Sequence, residues 1–380
     1  MSYSFFVKSD IEFGRGAINK LPDFLREYKA GKVMLVYDGG VKAAGIADIV
    51  LEKIKEAGVE VIIFDGVIPN PTNEVVEEAA KIAKAEGIDV FVAAGGGSSI
   101  DLAKAVNVLM TNEGPIGKYG GMNMVENPLL PLIAIPTTAG TSSEITNVSA
   151  LIDTEKVVKY VVIDNKIVAS KVIADPDFTR TMPVSVTAAT GMDAITHAVE
   201  SYISNMATPL TAYNSLAGLK ILHANLPKAV ADGNDMEARE NMMLGCVITG
   251  FGFSNANLGL VHAIAHTLSA HFGLAHGMAN ATVLPYVMEF NAEACPEKMK
   301  DMADTLGLKG DGSDGDRYLL ARELLRLTKE LKIRTLSEQG IREEDLDMLA
   351  DDVLREPVLG FNPRQGVTKE QVLAILRKAF

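Results

Sequence analysis

From residue 32 to residue 140 the chain alternates short, continuous apolar runs with stretches in which apolar residues recur every three or four positions. The run KVMLVYD (32–38) reads as a buried strand, and AGIADIVLEKIKEAG (44–58) as a helix with Ile46, Ile49, Val50 and Ile54 on one stripe. VEVIIFDGV (59–67) is the next strand. TNEVVEEAAKIAKAEG (72–87) reads as a second helix, with Thr72 as N-cap, Glu74, Glu77 and Glu78 near its positive end and Gly87 closing it. IDVFVAAGGG (88–97) follows as a strand, SSIDLAKAVNVLM (98–110) as a helix and PLIAIPTTAG (131–140) as a further strand. Strands and helices in this order imply a parallel sheet with helices on both faces.

The pattern then changes twice. VSALIDTEKVVKYVVID (148–164) sets two β-branched runs around the polar turn Asp153 to Lys156 and predicts a β-hairpin. After Pro183 the strand runs stop, and helical periodicity continues to Phe380 over 185–204, 209–231, 236–251, 258–271, 278–291, 297–305, 315–331, 343–354 and 368–379. At 380 residues the chain exceeds what one core usually fills, so two domains are expected: α/β over 1–181 and all-α over 182–380. No repeat of fixed period interrupts them.

Composition narrows the function. With 48% hydrophobic and 22% charged residues the chain is ordinary globular material. A formal net charge of -13 has the wrong sign for nucleic acid or an anionic membrane. The first residues meet charge too early for a signal peptide, and no apolar run reaches about 18 residues. Only Cys246 and Cys295 are present, 49 positions apart, so a reducing cytoplasm is the expected location.

Three strand ends in the first half carry candidate chemistry. In AAGGGSSID (93–101) three glycines between a strand and a helix let backbone N–H groups approach a pyrophosphate, although a plain tight turn would carry the same residues. Asp38 closes the first strand, where open α/β sheets bind ligands, and its carboxylate suits a ribose diol while repelling a 2'-phosphate. If the ligand is a dinucleotide, it therefore favours NAD over NADP, the alternative being an exposed turn Asp before Gly39 and Gly40. PTTAGTSSE (136–144) adds the hydroxyls of Thr137, Thr138, Thr141, Ser142 and Ser143.

The histidines give the sharper signal. Of six, His262, His266, His271 and His276 fall within fifteen residues, and His197 follows Asp193 by four. Helical residues at i and i+4 share a face, so Asp193 with His197, and His262 with His266, can each present donors to one point, and a divalent cation could serve them all. The alternative is an Asp193–His197 pair with the later histidines hydrogen-bonded in the core. His276 in AHGMANA sits beside a glycine expected to mark a turn, and His223 stands apart as a structural residue.

The segments GGGSSID, PTTAGTSSE, ATGMDAITHAVE, FSNANLGLVHAIAHTL and AHGMANA, in this order, resemble the iron-dependent (group III) alcohol dehydrogenases over essentially the whole chain, especially the 1,3-propanediol dehydrogenase and lactaldehyde reductase branches. The resemblance implies a Rossmann-like, dehydroquinate-synthase-like dinucleotide domain and a helical metal domain, with cofactor and metal in the cleft between them. It implies Asp193, His197, His262 and His276 as metal ligands, with His266 handling protons beside them. For the cofactor it marks Asp38, Asn70, Gly96, Gly97, Ser98, Asp101, Thr137, Thr138 and Lys159. The ion would be Fe(II), with Zn(II) accepted by the same donors. The partner would be a small alcohol or aldehyde, and the assembly a homodimer or larger homo-oligomer. EITNVSALI departs from the family pattern, the role of His271 stays open between pocket and surface, and GFNPRQG puts Phe361 among possible pocket residues. Glycerol-dehydrogenase-like or lyase chemistry on the same fold, or a non-catalytic nucleotide binder with a structural metal, are the competing readings.

Overall fold

The computed structural model describes residues 2–380. The chain forms two compact units, one spanning Phe6–Met182 and the other Pro183–Phe380 together with the segment up to Phe5.

The first unit is built on β1 (Asp10–Phe13), α1 (Leu21–Glu27), β2 (Lys32–Asp38), α2 (Gly39–Ala43), α3 (Ile46–Glu56), β3 (Glu60–Val67), α4 (Asn73–Glu86), β4 (Val90–Gly95), α5 (Gly97–Thr111), β5 (Gly121–Met122), β6 (Leu132–Pro136), β7 (Val148–Asp153), β8 (Val158–Ile163) and β9 (Lys171–Ala174). Six strands make one sheet in the order β1-β9-β6-β4-β2-β3, and every pairing in it is parallel. Val33, Leu35, Val90, Val92, Ile133 and Ile135 pack with Leu21, Leu25, Val50 and Ile54 from α1 and α3 into one core. The intervening residues Met34, Val36, Phe91 and Ala93 are fully buried as well, which is why these strands read as unbroken apolar runs instead of alternating ones. The hairpin expected at 148–164 is present as antiparallel β7 and β8 in a separate three-stranded sheet.

Successive strands β2, β3 and β4 place the reversal of chain direction across the sheet between β2 and β4. In a doubly wound sheet the carboxyl ends of two such strands bound the ligand crevice. Asp38 and Gly95 occupy those ends.

Elements that the pattern did not predict are the short ones. β1 and β9 are four residues each, too brief to show a period. α2 opens on two glycines of low helical propensity and is held by the Asp38 side chain, which caps the N–H groups of Gly40 and Val41. Thr72 does precede α4 in extended backbone, but its side chain makes no capping hydrogen bond.

The second unit is helical: α6 (Val184–Ile203), α7 (Pro209–Ala231), α8 (Met236–Ala256), α9 (Leu260–Phe272), α10 (His276–Asn291), α11 (Pro296–Thr305), α12 (Leu319–Glu330), α13 (Leu346–Val353) and α14 (Lys369–Ala379). α6 is its central rod, buried almost without a break from Thr187 to Ile203. Gly191 lets it touch α7, since a Cβ there would lie 2.2 Å from Leu226 Cδ1. α10 begins at His276, earlier than the pattern suggested. Gly277 therefore lies in its first turn, not in a preceding loop. A Cβ at Gly277 would sit 2.6 Å from the Ala189 carbonyl, so this glycine serves the close approach of α10 to α6. Among the described residues no single helix is long and apolar enough to cross a membrane.

Candidate functional site

Chemistry-bearing residues gather in both units. In the helical unit α6 supplies Asp193 and His197, α9 supplies His262 and α10 supplies His276. Among the described residues these four form the group whose metal-type donor atoms all lie within 4.8 Å of one another. The Asp193 carboxylate oxygen is 3.9 Å from Nε2 of His197 and 3.9 Å from Nε2 of His276. Tetrahedral donors bonded at about 2.1 Å stand about 3.4 Å apart, so a small contraction would place all four on one ion. Three imidazoles and one carboxylate are donors that iron and zinc both accept.

The rings are held from outside. His197 stacks on Phe253 at 4.2 Å between centroids and on His262 at 4.9 Å. His262 Nδ1 lies 2.6 Å from a carboxylate oxygen of Glu200, also on α6, leaving Nε2 facing the group. Asn280 donates from Nδ2 to Asp193 at 2.6 Å and lies 3.2 Å from Nε2 of both His262 and His276. Burial pushes the Glu200 carboxyl up to about 7, against the backbone N–H groups that favour its charged form.

His266 stands beside this group rather than in it. Its ring centroid is 6.0 Å from that of His262 and 5.6 Å from that of His276, and its Nδ1 is 3.1 Å from Glu356. His271 pairs with Asp352 at 2.8 Å and His223 with Glu323 at 2.7 Å, both away from the four-residue group. Phe361 ends a 3-10 turn and accepts the N–H of Asn205 through its carbonyl. Its neighbour Asn362 is fully buried and accepts the N–H of Leu260, the first residue of α9.

In the sheet unit the ends of β2 and β4 meet. Asp38 Oδ1 accepts from Gly40 and Val41, and Ser99 donates to Oδ2 at 3.3 Å. A Cβ on Gly96 would meet Thr138 at 3.2 Å, and one on Gly97 would meet Thr141 at 2.9 Å, so these glycines bring the hydroxyl run of 137–143 against the turn before α5. The N–H of Asn70, a residue at φ 52°, donates to Ser98 Oγ, and Lys159 donates to the Asn70 side chain at 3.1 Å. Register explains that reach: Lys159 pairs across the hairpin with Ile152, which bridges to Thr72.

Asp38, Asn70, Gly96, Gly97, Ser98, Thr138 and Lys159 thus sit in one neighbourhood, which Thr137 joins through its N–H to the Gly95 carbonyl. Asp101 behaves differently. Its two oxygens accept from the Ser143 hydroxyl and the Ala150 N–H, so they brace the loop before β7. Lys104 braces the same loop from a fully buried position, donating to the carbonyls of Ser143, Thr146 and Val148 at 2.6 to 2.9 Å. Burial pushes its ammonium down to about 8 and the carboxyl of nearby Glu144 up to about 7.

Glu200, Asn280, Glu356 and Lys104 escaped notice in the sequence. Glu200 follows His197 by three and Asp193 by seven, and Asn280 follows His276 by four, so helical spacing alone could have put both on the ligand faces.

The model of the iron-containing alcohol dehydrogenase family matches residues 8–176, and that of its C-terminal domain matches residues 187–380. The chain belongs to this family. It is 39% identical over 388 residues to the 1,3-propanediol dehydrogenase of Citrobacter freundii, covering 100% of both chains. It is 37% identical to the NAD-dependent methanol dehydrogenase of Bacillus methanolicus, with 99% of each chain covered. A crystal structure of 1,3-propanediol oxidoreductase superposes with a TM-score of 0.96 at 37% identity, covering 100% of both chains. Membership makes the protein an oxidoreductase of the alcohol dehydrogenase type, and the α/β sheet unit with an all-helical unit is the architecture of its structural relatives.

Proposed function

We propose that the chain is an NAD-dependent, iron-dependent dehydrogenase that interconverts small primary alcohols or diols and the corresponding aldehydes. The observation that carries this reading is the convergence of Asp193, His197, His262 and His276, three of them buried, where α6, α9 and α10 meet. These four residues would hold the divalent ion. When bound, that ion supplies Lewis acidity to the alcohol or carbonyl oxygen, while the nicotinamide accepts or delivers the hydride.

The chain's own groups do the rest. Oxidation of the alcohol would give up a hydride to the nicotinamide, so the hydroxyl proton would have to leave separately. His266 is suited to carry it: with Nδ1 donating to Glu356, Nε2 is left as the accepting nitrogen. Asp38, Asn70, Gly96, Gly97, Ser98, Thr137, Thr138 and Lys159 line the dinucleotide's place. In this reading Asp101 acts by holding the Ser143 loop. The Asp38 carboxylate favours the free ribose of NAD over the 2'-phosphate of NADP. The relative named an NAD-dependent methanol dehydrogenase and the one named a 1,3-propanediol dehydrogenase support both the cofactor and the substrate class. A chain with only two cysteines, Cys246 buried and Cys295 half-buried, suits a reducing cytoplasm.

The test is NADH absorbance with Fe(II)-loaded full-length protein across primary alcohols, diols and aldehydes. Turnover confined to these substrates with NAD(H) supports the reading; metal uptake without NADH-coupled turnover on any of them would refute it.

A further inference from the structure

Glu200 does two jobs from one buried position. It lies on the face of α6 that carries Asp193 and His197, and 1% of its surface is exposed. α9 starts after Gly259, which has no side chain to cap the helix. The free N–H groups of its first turn are met instead by side chains from elsewhere: Leu260 by Asn362 at 3.3 Å, and Val261 by Glu200 Oε1 at 2.7 Å. The other oxygen, Oε2, receives His262 Nδ1 at 2.6 Å and lies 3.4 Å from the His262 N–H. Backbone N–H groups can only donate, so Oε1 accepts from Val261, and Asn280 Nδ2, which also can only donate, lies 3.2 Å from His262 Nε2, so that Nε2 is the bare nitrogen and Oε2 accepts from Nδ1. The arrangement therefore requires His262 to carry its ring proton on Nδ1 and to keep the Nε2 lone pair for the group formed with Asp193, His197 and His276.

We propose that Glu200 is the positioning residue of the metal centre, fixing the tautomer and orientation of His262 while capping the helix that bears it. This rests on the metal reading given above. A carboxylate behind a ligating imidazole sets its ring and raises its basicity, and loss of such a partner typically costs about 10- to 100-fold in metal affinity.

Glu200→Gln is the discriminating change, because it keeps the volume and leaves one oxygen for two donors. If the amide oxygen stays with Val261, the amide N–H₂ faces His262 Nδ1 and favours the tautomer with a proton on Nε2, which cannot ligate. If the oxygen turns to His262, the amide N–H₂ meets the Val261 N–H. Either outcome weakens the site. With Co(II) titrated into metal-free full-length protein against a competing chelator, Glu200→Gln should bind roughly 10- to 100-fold more weakly than the unchanged protein. Glu200→Asp, which keeps both acceptors but is shorter, should recover part of the loss. Wild-type Co(II) affinity in a folded Glu200→Gln protein would overturn the proposal.

Should Glu200→Gln fail to fold, nitrogen-15 spectra of histidine-labelled, metal-free protein decide the matter. The His262 resonances must show a protonated Nδ1 and a bare Nε2, and the opposite tautomer would overturn the role of Glu200. Failure of the unchanged protein to bind Co(II) would count against the metal reading itself, and the tautomer measurement would still judge Glu200.

Discussion

The sheet unit and the helical unit prepare for their ligands by opposite means. At the ends of β2 and β4 the proposed contributions are backbone N–H groups of a tight turn, with Gly96 and Gly97 letting Thr138 and Thr141 close against it. In the helical unit, side-chain donors on long rods matter, and even the glycine in the ligand motif, Gly277, acts by letting α10 lie against α6. A substitution in the sheet unit should therefore degrade affinity by degrees, whereas one in the helical group should remove a whole function. Loops and turns tolerate small shifts; a converging set of four donors does not.

The largest expected effect tests the helical half of this contrast. His262→Ala removes one of four donors and leaves Glu200 without its ring partner. Metal analysis should find no stoichiometric ion and NADH-coupled assay no turnover, while circular dichroism stays close to that of the unchanged protein. Full metal content would remove His262 from the ligand set.

A smaller loss is expected beside the ion. His266→Ala should keep its metal and bind NADH, yet turn over roughly 10² to 10⁴ more slowly, the usual range for lost proton transfer. Metal loss in His266→Ala together with metal retention in His276→Ala would exchange the two residues' roles.

How much of this could be read from the chain alone also differs between the units. Long elements with a strong period, such as α4 and α6, and the buried runs of β2 and β4 were legible because burial on one or both faces leaves a pattern in many consecutive residues. β1, β9 and α2 were not, since four or five residues carry no period and α2 depends on one Asp38 cap. Spacing put Asp193 with His197 and His262 with His266 on shared helix faces, with His276 in the same stretch of sequence, but the choice of His276 over His266 as a ligand came from the family resemblance alone. The supports of these residues were only half legible: spacing sets Glu200 on the α6 face of Asp193 and His197, but its reach to α9, and that of Glu356 to His266, cross long stretches of chain through packing that spacing does not encode. Asp101 shows the converse, a residue in a cofactor-like motif whose carboxylate is spent on Ser143 and Ala150.

The next prediction probes the sheet unit. Asp38→Asn keeps an oxygen for the Gly40 and Val41 N–H groups, so α2 stays capped, but it removes the negative charge. NADP should then gain on NAD by on the order of tenfold in kcat/KM, since repulsion between like charges is a main element of such discrimination. An unchanged protein that already prefers NADP would show that Asp38 does not face the ribose.

The last effect reaches no reacting group: it concerns the loop that Lys104 and Asp101 brace, and it is read in stability. Glu144 is buried there, and the folded chain holds its proton up to about pH 7, whereas the unfolded chain releases it near 4.5. Between those values the unfolded state binds fewer protons, so stability is greatest at the acid end and falls as pH rises through 7. Glu144→Gln removes this penalty without changing shape. Denaturation should find the variant and the unchanged protein diverging from pH 5 to 7, with the variant ahead by at most about 3 kcal/mol at pH 7.5. The window must stop below pH 8, where Lys104 begins to lose its own proton in the folded chain and adds a slope of the opposite sign. Parallel curves across pH 5 to 7 would mean that Glu144 is ionised in the folded protein and that the Lys104 ammonium offsets the cost of its burial.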